Sequence, residues 1–540
     1  LLSASAVHSK VSKDVHKWPV SSYEVSHLKS SWRELGKKNF KSKTLRDYNP
    51  KDKVIKKLLK WREFTTGSPV ATFKSITEFI KANPNWPAQE LLRKKAEYKI
   101  DSYTDPDDII KWFAINSPII DTKIRFKRPL TPEGKLKLAE AMIKSHKKYK
   151  IDKRLILVLV KEAYVELDFR YYDAYILARF HSFKKDKAKI AEAEWKAGWI
   201  SLRFIKNASQ AYNHFKNMYD VVETPISIAR ATYWMGRSME AKGDKLASNK
   251  WYGIASRYSA AFYGQLAMAK TGDLRINIPS YSRINQNDLS AYKNNELAKA
   301  SFLMFSTGND RHGKMFLNSA ALEANSSGEI ALIAQMGLEH NTYDYAVKVA
   351  KQIYRSRSEV VLNALFPMFK LTSVKGNPIK NPPEEVVLSI IRQESEFDAD
   401  ALSHAGARGL MQLMPATAKG VAKKLGLKYS KSRLVTDPRY NVTLGSAYLA
   451  QRLKDYKGSM ILAFAAYNAG AGNVNKWIKR NGDPRKMTIE GAVDWIEKIP
   501  FSETNNYVQR VLENVQVYRY AVSNKKSNLV RTHKDMMIGR

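Results

Sequence analysis

Trp195-Lys-Ala-Gly-Trp199 followed by Phe215 is echoed by Tyr233-Trp-Met-Gly236 followed by Tyr252, at an offset of about 37 to 38 residues. A period of that length suits a pair of helices that buries its apolar side only against neighbouring pairs, so it calls for stacked helices rather than a sheet. Gly198 and Gly236 fall where a missing side chain lets a facing helix come close. Helical spacing of apolar residues also runs through Lys53 to Phe64, Ala71 to Asn83, Trp86 to Tyr98, Ala331 to Gly337 and Tyr345 to Ile353. Gly67-Ser-Pro and Asn83-Pro-Asn-Trp-Pro punctuate the first three, and Leu130-Thr-Pro-Glu133 marks another helix start. No stretch is rich in strand patterns, so the expected fold is all-α. An unrelated helical solenoid would share the same periodicity.

The length of 540 residues exceeds what one core supports and predicts two to four domains. A net charge of +39 predicts attraction to polyanions: nucleic acid, anionic lipid, or a cell wall bearing free carboxylates. A merely solvated basic surface accounts for the charge equally well. No zinc-finger spacing occurs, so a nucleic-acid partner is not expected. The absence of cysteine excludes disulfides and thiolate metal sites. His404 has no second ligand at a usual spacing and reads as a loop residue, so neither metal nor cofactor is expected. No apolar run has the length of a transmembrane helix. Leu-Leu-Ser-Ala-Ser-Ala before Val7 resembles the end of a signal-peptide core, and a short low-complexity start is the competing reading.

The most unusual local pattern begins at Asn381-Pro-Pro383, a helix entry with Glu384 and Glu385 in the first turn. Val387, Ile390, Ile391 and Glu394 then share one stripe, which places a carboxylate on an apolar face at a helix C-terminus. Both the apolar surroundings and the negative end of the helix dipole raise its pKa, roughly one to two units above the usual value of about 4.3. A frayed helix end reaching solvent is the alternative. Downstream, Gly406, Gly409 and Pro415 bracket Gly409-Leu-Met-Gln-Leu-Met-Pro415, too glycine-rich for a helix interior and too apolar for a surface loop. A buried turn is expected there, with Gln412 and Met414 facing a cleft and Pro415 opening a helix that stops at Gly426.

These motifs continue through Asp437-Pro-Arg-Tyr-Asn441, Gly445, Tyr448, Ala466-Tyr-Asn-Ala-Gly470 and Ile499-Pro-Phe-Ser-Glu-Thr504. In that order, residues from about 373 to 524 resemble the catalytic domain of the soluble lytic murein transglycosylases. Ala399 departs from the proline found in many relatives, which bears on a loop rather than on chemistry. The segment from Ala229 to Ala267 similarly resembles the helical ring of the large members. Weak periodicity leaves 1–30 as an extended or loosely docked lead-in and 525–540 as a basic, mobile tail, while the resemblance implies a helical superhelical domain over 31–300, a helical linker domain over 301–372 and a lysozyme-like catalytic domain over 373–524. The loop from Thr372 to Pro383 marks the entrance to the catalytic part.

The family further implies an exported, periplasmic enzyme without cofactor. It would cleave the β-1,4 bond between N-acetylmuramic acid and N-acetylglucosamine in peptidoglycan, with glycan strands and other cell-wall enzymes as partners. Glu394 is its acid, and Tyr467 holds Glu394 and stabilises positive charge on the sugar. Gln412, Met414, Asn468 and Glu503 line substrate subsites. Ser395 either bonds near the scissile sugar or is satisfied by backbone, and Glu503 doubles as an ordinary helix N-terminal carboxylate. Glu396, Asp398 and Asp400 are poorly placed as nucleophiles, so Glu394 alone is expected to produce 1,6-anhydromuramic acid ends. The competitors are a lysozyme-type hydrolase of the same bond and a non-catalytic helical-repeat adaptor for polyanions.

Overall fold

The computed structural model describes residues 13–100, 104–116, 186–276, 278, 284–357, 359–369, 381–523 and 529–537. Among them every regular element is helical, and pairing outside helices is limited to isolated bridges such as Leu402 with Arg408 and Arg408 with Leu413. None of the described helices is long and apolar enough to cross a membrane. The Leu1–Ala6 motif, the Thr131 helix start and most of the loop before Pro383 lie outside the described residues. The chain divides into two compact units, Leu1–Asp152 with Ser282–Val349 and Lys153–Tyr281 with Ala350–Arg540. This division cuts across the boundaries drawn from sequence, because the helices of 186–276 group with the C-terminal region.

In the first unit the expected helices form as Lys53–Thr66, Phe73–Ala82 and Gln89–Glu97. Asp52 caps the first through Val54 and Ile55, and Gly67 closes it in the left-handed region at φ 82°. Trp61 and Trp86 each meet Phe316 with ring centroids 5.2 Å apart, joining these helices to Asp310–Glu323. The lead-in reading fails for residues 13–30. Ser22–Gly36 is a helix, His16 and Trp18 are buried, and the Trp18 indole donates to the Lys293 carbonyl at 2.9 Å. Their partners lie more than 270 positions away, so no local pattern announces the docking.

The second unit contains the repeated pairs: Lys187–Ile200 with Ala208–Tyr219, then Pro225–Ala241 with Lys245–Ser256. A Cβ added at Gly198 would lie 2.7 Å from the Phe215 ring, and one at Gly236 would lie 2.7 Å from Tyr252. The two glycines of the echo therefore admit the two aromatics of the echo, as the spacing predicts.

The C-terminal helices surround the Met460–Ala469 helix, whose residues from Met460 to Tyr467 are all buried. It and Glu384–Glu394 both pack on Ser502–Val522, a helix with Val508, Val511, Leu512 and Val515 in the core. Burial of each such aliphatic side chain contributes about 1.5–3 kcal/mol, which fixes the helix that carries Glu394 against the one that carries Tyr507. The Glu513 carboxylate accepts from the Phe262 amide at 2.7 Å, and Gln265 donates to the Glu513 carbonyl at 3.1 Å. The tail is likewise not loose over 529–537. Thr532–Met536 is helical with Met536 buried, Val530 donates to the Leu274 carbonyl at 2.8 Å, and Thr532 donates to Gln265 at 2.8 Å.

Candidate active site

Glu394 is the last residue of the Glu384–Glu394 helix, above Val387, Ile390 and Ile391, all buried. Burial pushes its carboxyl up to about 8, the nearby negative charge of Glu503 pushes in the same direction, and a hydrogen bond from Tyr507 opposes both. The shift exceeds that expected from the helix stripe alone, because the surrounding wall is tertiary. The Tyr507 hydroxyl donates to Glu394 Oε1 at 2.7 Å. The helix cannot continue past this point: Glu396 and Phe397 both have positive φ, 51° and 70°, unusual for residues with side chains. Phe397 is buried and Glu396 is paired with Lys351, so packing and charge hold the turn that ends at the acid.

The run after Gly406 forms the expected buried turn, with Leu410, Met411 and Leu413 in the core, Met414 exposed, and Pro415–Lys424 as the following helix. Asn441, fully buried, organises it: its oxygen accepts from the Met411 amide at 2.9 Å while its nitrogen donates to the carbonyls of Arg408 and Leu434 at 2.8 and 2.9 Å. Gln412 sits at φ 44° and spends its amide hydrogens on the carbonyls of Ala401 and Gly409. It braces the loop from within, and Met414 is the residue of this run that presents a large apolar side chain outward.

One further expectation changes, at Tyr467, and one of the two readings of Ser395 is met. The Tyr467 hydroxyl donates to the Met411 carbonyl at 2.9 Å, so the hydroxyl holding Glu394 is that of Tyr507. Tyr467 remains close enough for the charge of Glu394 to raise its pKa, after burial, and its ring lies 5.2 Å from that of Tyr448. Ser395 donates to the carbonyls of Leu410 at 2.8 Å and Ile391 at 3.2 Å, which settles its hydroxyl on backbone and ties the helix end to the turn. Asn468 joins the remaining pair, donating to Glu503 at 3.3 Å and accepting from Thr504 at 2.6 Å. Glu394, Tyr467, Tyr507 and the Asn468–Glu503 pair thus meet at one place. Tyr507 was legible only as a core position; its spacing of four from Glu503, on the same helix face, is the signal that could have marked it.

Of the acids that follow Glu394 in the chain, Glu396 is paired with Lys351 and Asp398 accepts from the amide of Asp400 at 3.0 Å, which leaves Glu503 as the carboxylate whose charge reaches Glu394. A carboxyl pushed to about 8 can give up a proton near neutral pH and recover one in the next step. Replacing Tyr507 by Phe removes the bond that favours the carboxylate, so the pKa of Glu394 is expected to rise further. The alkaline limb of the pH–rate profile should then move to higher pH, with a rate loss of roughly 10- to 100-fold from poorer orientation of the carboxylate. A limb that moved to lower pH would contradict this arrangement.

The site is thus a buried acid at a helix end, closed over by a glycine-bracketed turn and by a tyrosine from a helix distant in sequence. Residues 375–489 match the model of the transglycosylase SLT domain. The chain is similar to the soluble lytic murein transglycosylase of Escherichia coli strain K12, 31% identical over 217 residues, which are 39% of this chain and 32% of that protein. It is similar to the Salmonella typhimurium protein of the same description at 30% over 212 residues, 38% of this chain and 31% of that one. The match thus spans about a third of the length of these curated relatives. The fold is similar to that of the 70 kDa soluble lytic transglycosylase of Escherichia coli, with a TM-score of 0.52 at 17% identity over 96% of this chain and 99% of that one.

Proposed function

We propose that the chain is a lytic transglycosylase that cleaves the β-1,4 bond between N-acetylmuramic acid and N-acetylglucosamine in peptidoglycan. The observation that carries the reading is the Glu394 carboxyl, pushed to about 8 and held by Tyr507 in a wall that leaves the adjacent acids engaged elsewhere. Glu394 gives its proton to the glycosidic oxygen as the bond from that oxygen to muramyl C1 breaks. The resulting carboxylate takes the proton of the muramyl 6-hydroxyl as O6 bonds to C1, so the acid is regenerated and no water is consumed. Tyr467, fixed on the Met411 carbonyl, faces the developing positive charge. Met414, Asn468 and Glu503 line the sugar subsites, with Gln412 bracing the loop behind Met414 and Ser395 fixing the helix end beneath them. Names of the related proteins support murein as substrate and hence the periplasm as its place of action, where other wall enzymes are its expected partners.

Glu503 favours one competing reading, because it is a carboxylate whose charge reaches Glu394 and could serve a hydrolase as base. Digestion of purified wall in heavy-oxygen water separates the two by mass spectrometry. The transglycosylase is expected to leave unlabelled 1,6-anhydromuramic acid ends. Labelled reducing muramic acid as the main product would establish the hydrolase instead.

A further inference from the structure

A second polar pocket, of about 640 Å³, lies within the first unit, lined by Lys29, Trp32, Arg33, Arg62, Thr307 and Asn309 among others. None of its lining residues is acidic. Arg62 stands 5.3 Å from the Trp32 ring and reaches His312 Nε2 at 3.4 Å, while its Nε–H is buried and meets no acceptor among the described residues. The indole N–H of Trp32, a residue 3% exposed, also meets none. Arg33 is exposed, and among the described residues its guanidinium meets a carboxylate at Glu34 alone, loosely at 3.9 Å. A half-buried guanidinium commonly finds a carboxylate partner, because desolvating an unpaired charge is costly. Here burial and the neighbouring Arg311 instead pull the Arg62 pKa down, and no acid opposes them.

We infer that this pocket binds the free carboxylates of an acidic peptide, through the Arg62 guanidinium at its floor and Lys29 and Arg33 at its rim. Its volume suits a short peptide segment rather than a single ion, and guanidinium donors match carboxylate geometry. That the peptide is the stem of the wall polymer rests on the function proposed above. The pocket would then hold the substrate by a part that does not react, and the contact should weaken with salt.

The test uses calorimetry on the full chain with stem peptides released from purified wall, the same peptides with their carboxylates converted to amides, and acetate. The free peptides are expected to bind, and the amidated ones to bind at least about tenfold more weakly. A Lys29→Gln/Arg33→Gln variant, altered only at exposed rim residues, should lose about tenfold as well, and Arg62→Gln more, with melting curves confirming that both fold. Turnover of peptide-free glycan strands should be unchanged in all of them. Absent binding, equal binding by the rim variant, or acetate competing as well as the peptides would overturn the inference. A chain that binds the peptides through this pocket yet leaves wall intact keeps the site and removes the function proposed above; cleavage without peptide binding does the reverse.

Discussion

Glu394→Gln is expected to lower wall solubilisation by about 10²- to 10⁴-fold, the usual contribution of a positioned acid, while binding to sedimented wall persists. Glutamine keeps the shape of the side chain and can still accept from Tyr507, but it has no proton to donate to a leaving oxygen. The same substitution should change stability with the opposite sign. Between the unfolded value near 4.5 and the folded value of about 8, the native state holds a proton that the unfolded state has released. The wild-type chain therefore loses stability as pH rises through that window, and the neutral amide does not. Unfolding free energies of the two chains from urea titrations should coincide near pH 4 and separate by on the order of 4 kcal/mol by pH 8, with the variant the more stable. Activity retained by the variant would remove Glu394 from the chemistry. Parallel stability curves would show that its carboxyl is not perturbed.

Gly409→Ala should be the most disruptive single methyl group in the region. Gly409 has φ 72°, and an added Cβ would stand 2.1 Å from the Leu434 carbonyl oxygen and 2.5 Å from the Asn441 amide nitrogen. Neither can yield cheaply, since Leu434 is backbone and Asn441 already holds Arg408, Met411 and Leu434. A loss of about 3–5 kcal/mol in the urea midpoint is expected, with activity falling in step as the turn beneath Ser395 shifts. Gly406 provides the internal control. It has φ 89° but open space around it, so its alanine variant should lose only about 1 kcal/mol, the cost of the backbone conformation alone. Equal losses at the two positions would mean that the close approach at Gly409 is not what the turn depends on.

What could be read from the sequence was whatever a short stretch states about itself. The stripe Val387, Ile390, Ile391, Glu394 gives both the helix and its buried acid, because periodicity determines which residues share a face. Gly198 and Gly236 identify their aromatic partners because the echo keeps their spacing. Bracketing glycines and a proline delimit the turn that closes over the acid. What could not be read was which polar atom meets which across long separations. The Tyr467 and Tyr507 hydroxyls are equivalent on paper, and only the packing of Met460–Ala469 against Ser502–Val522 sends one to Met411 and the other to Glu394. The docking of Trp18 and Met536 escaped for the same reason: a segment rich in serine, histidine and lysine looks solvated until a distant groove for its few aromatic and apolar residues is known.

The bond between Tyr507 and Glu394 also sets an order in time. Its two ends are separated by 113 residues, and at a synthesis rate of about 5–20 residues per second the acid leaves the ribosome roughly six to twenty seconds before the hydroxyl that holds it. During that interval the Glu384–Glu394 helix has no Ser502–Val522 helix to lie on, and its apolar stripe must be sheltered by something else. The helices around Phe262 wait longer still, for Glu513 and Thr532. The acid therefore reaches its buried setting only once the Ser502–Val522 helix has been made, and until then the site around Glu394 stays unformed.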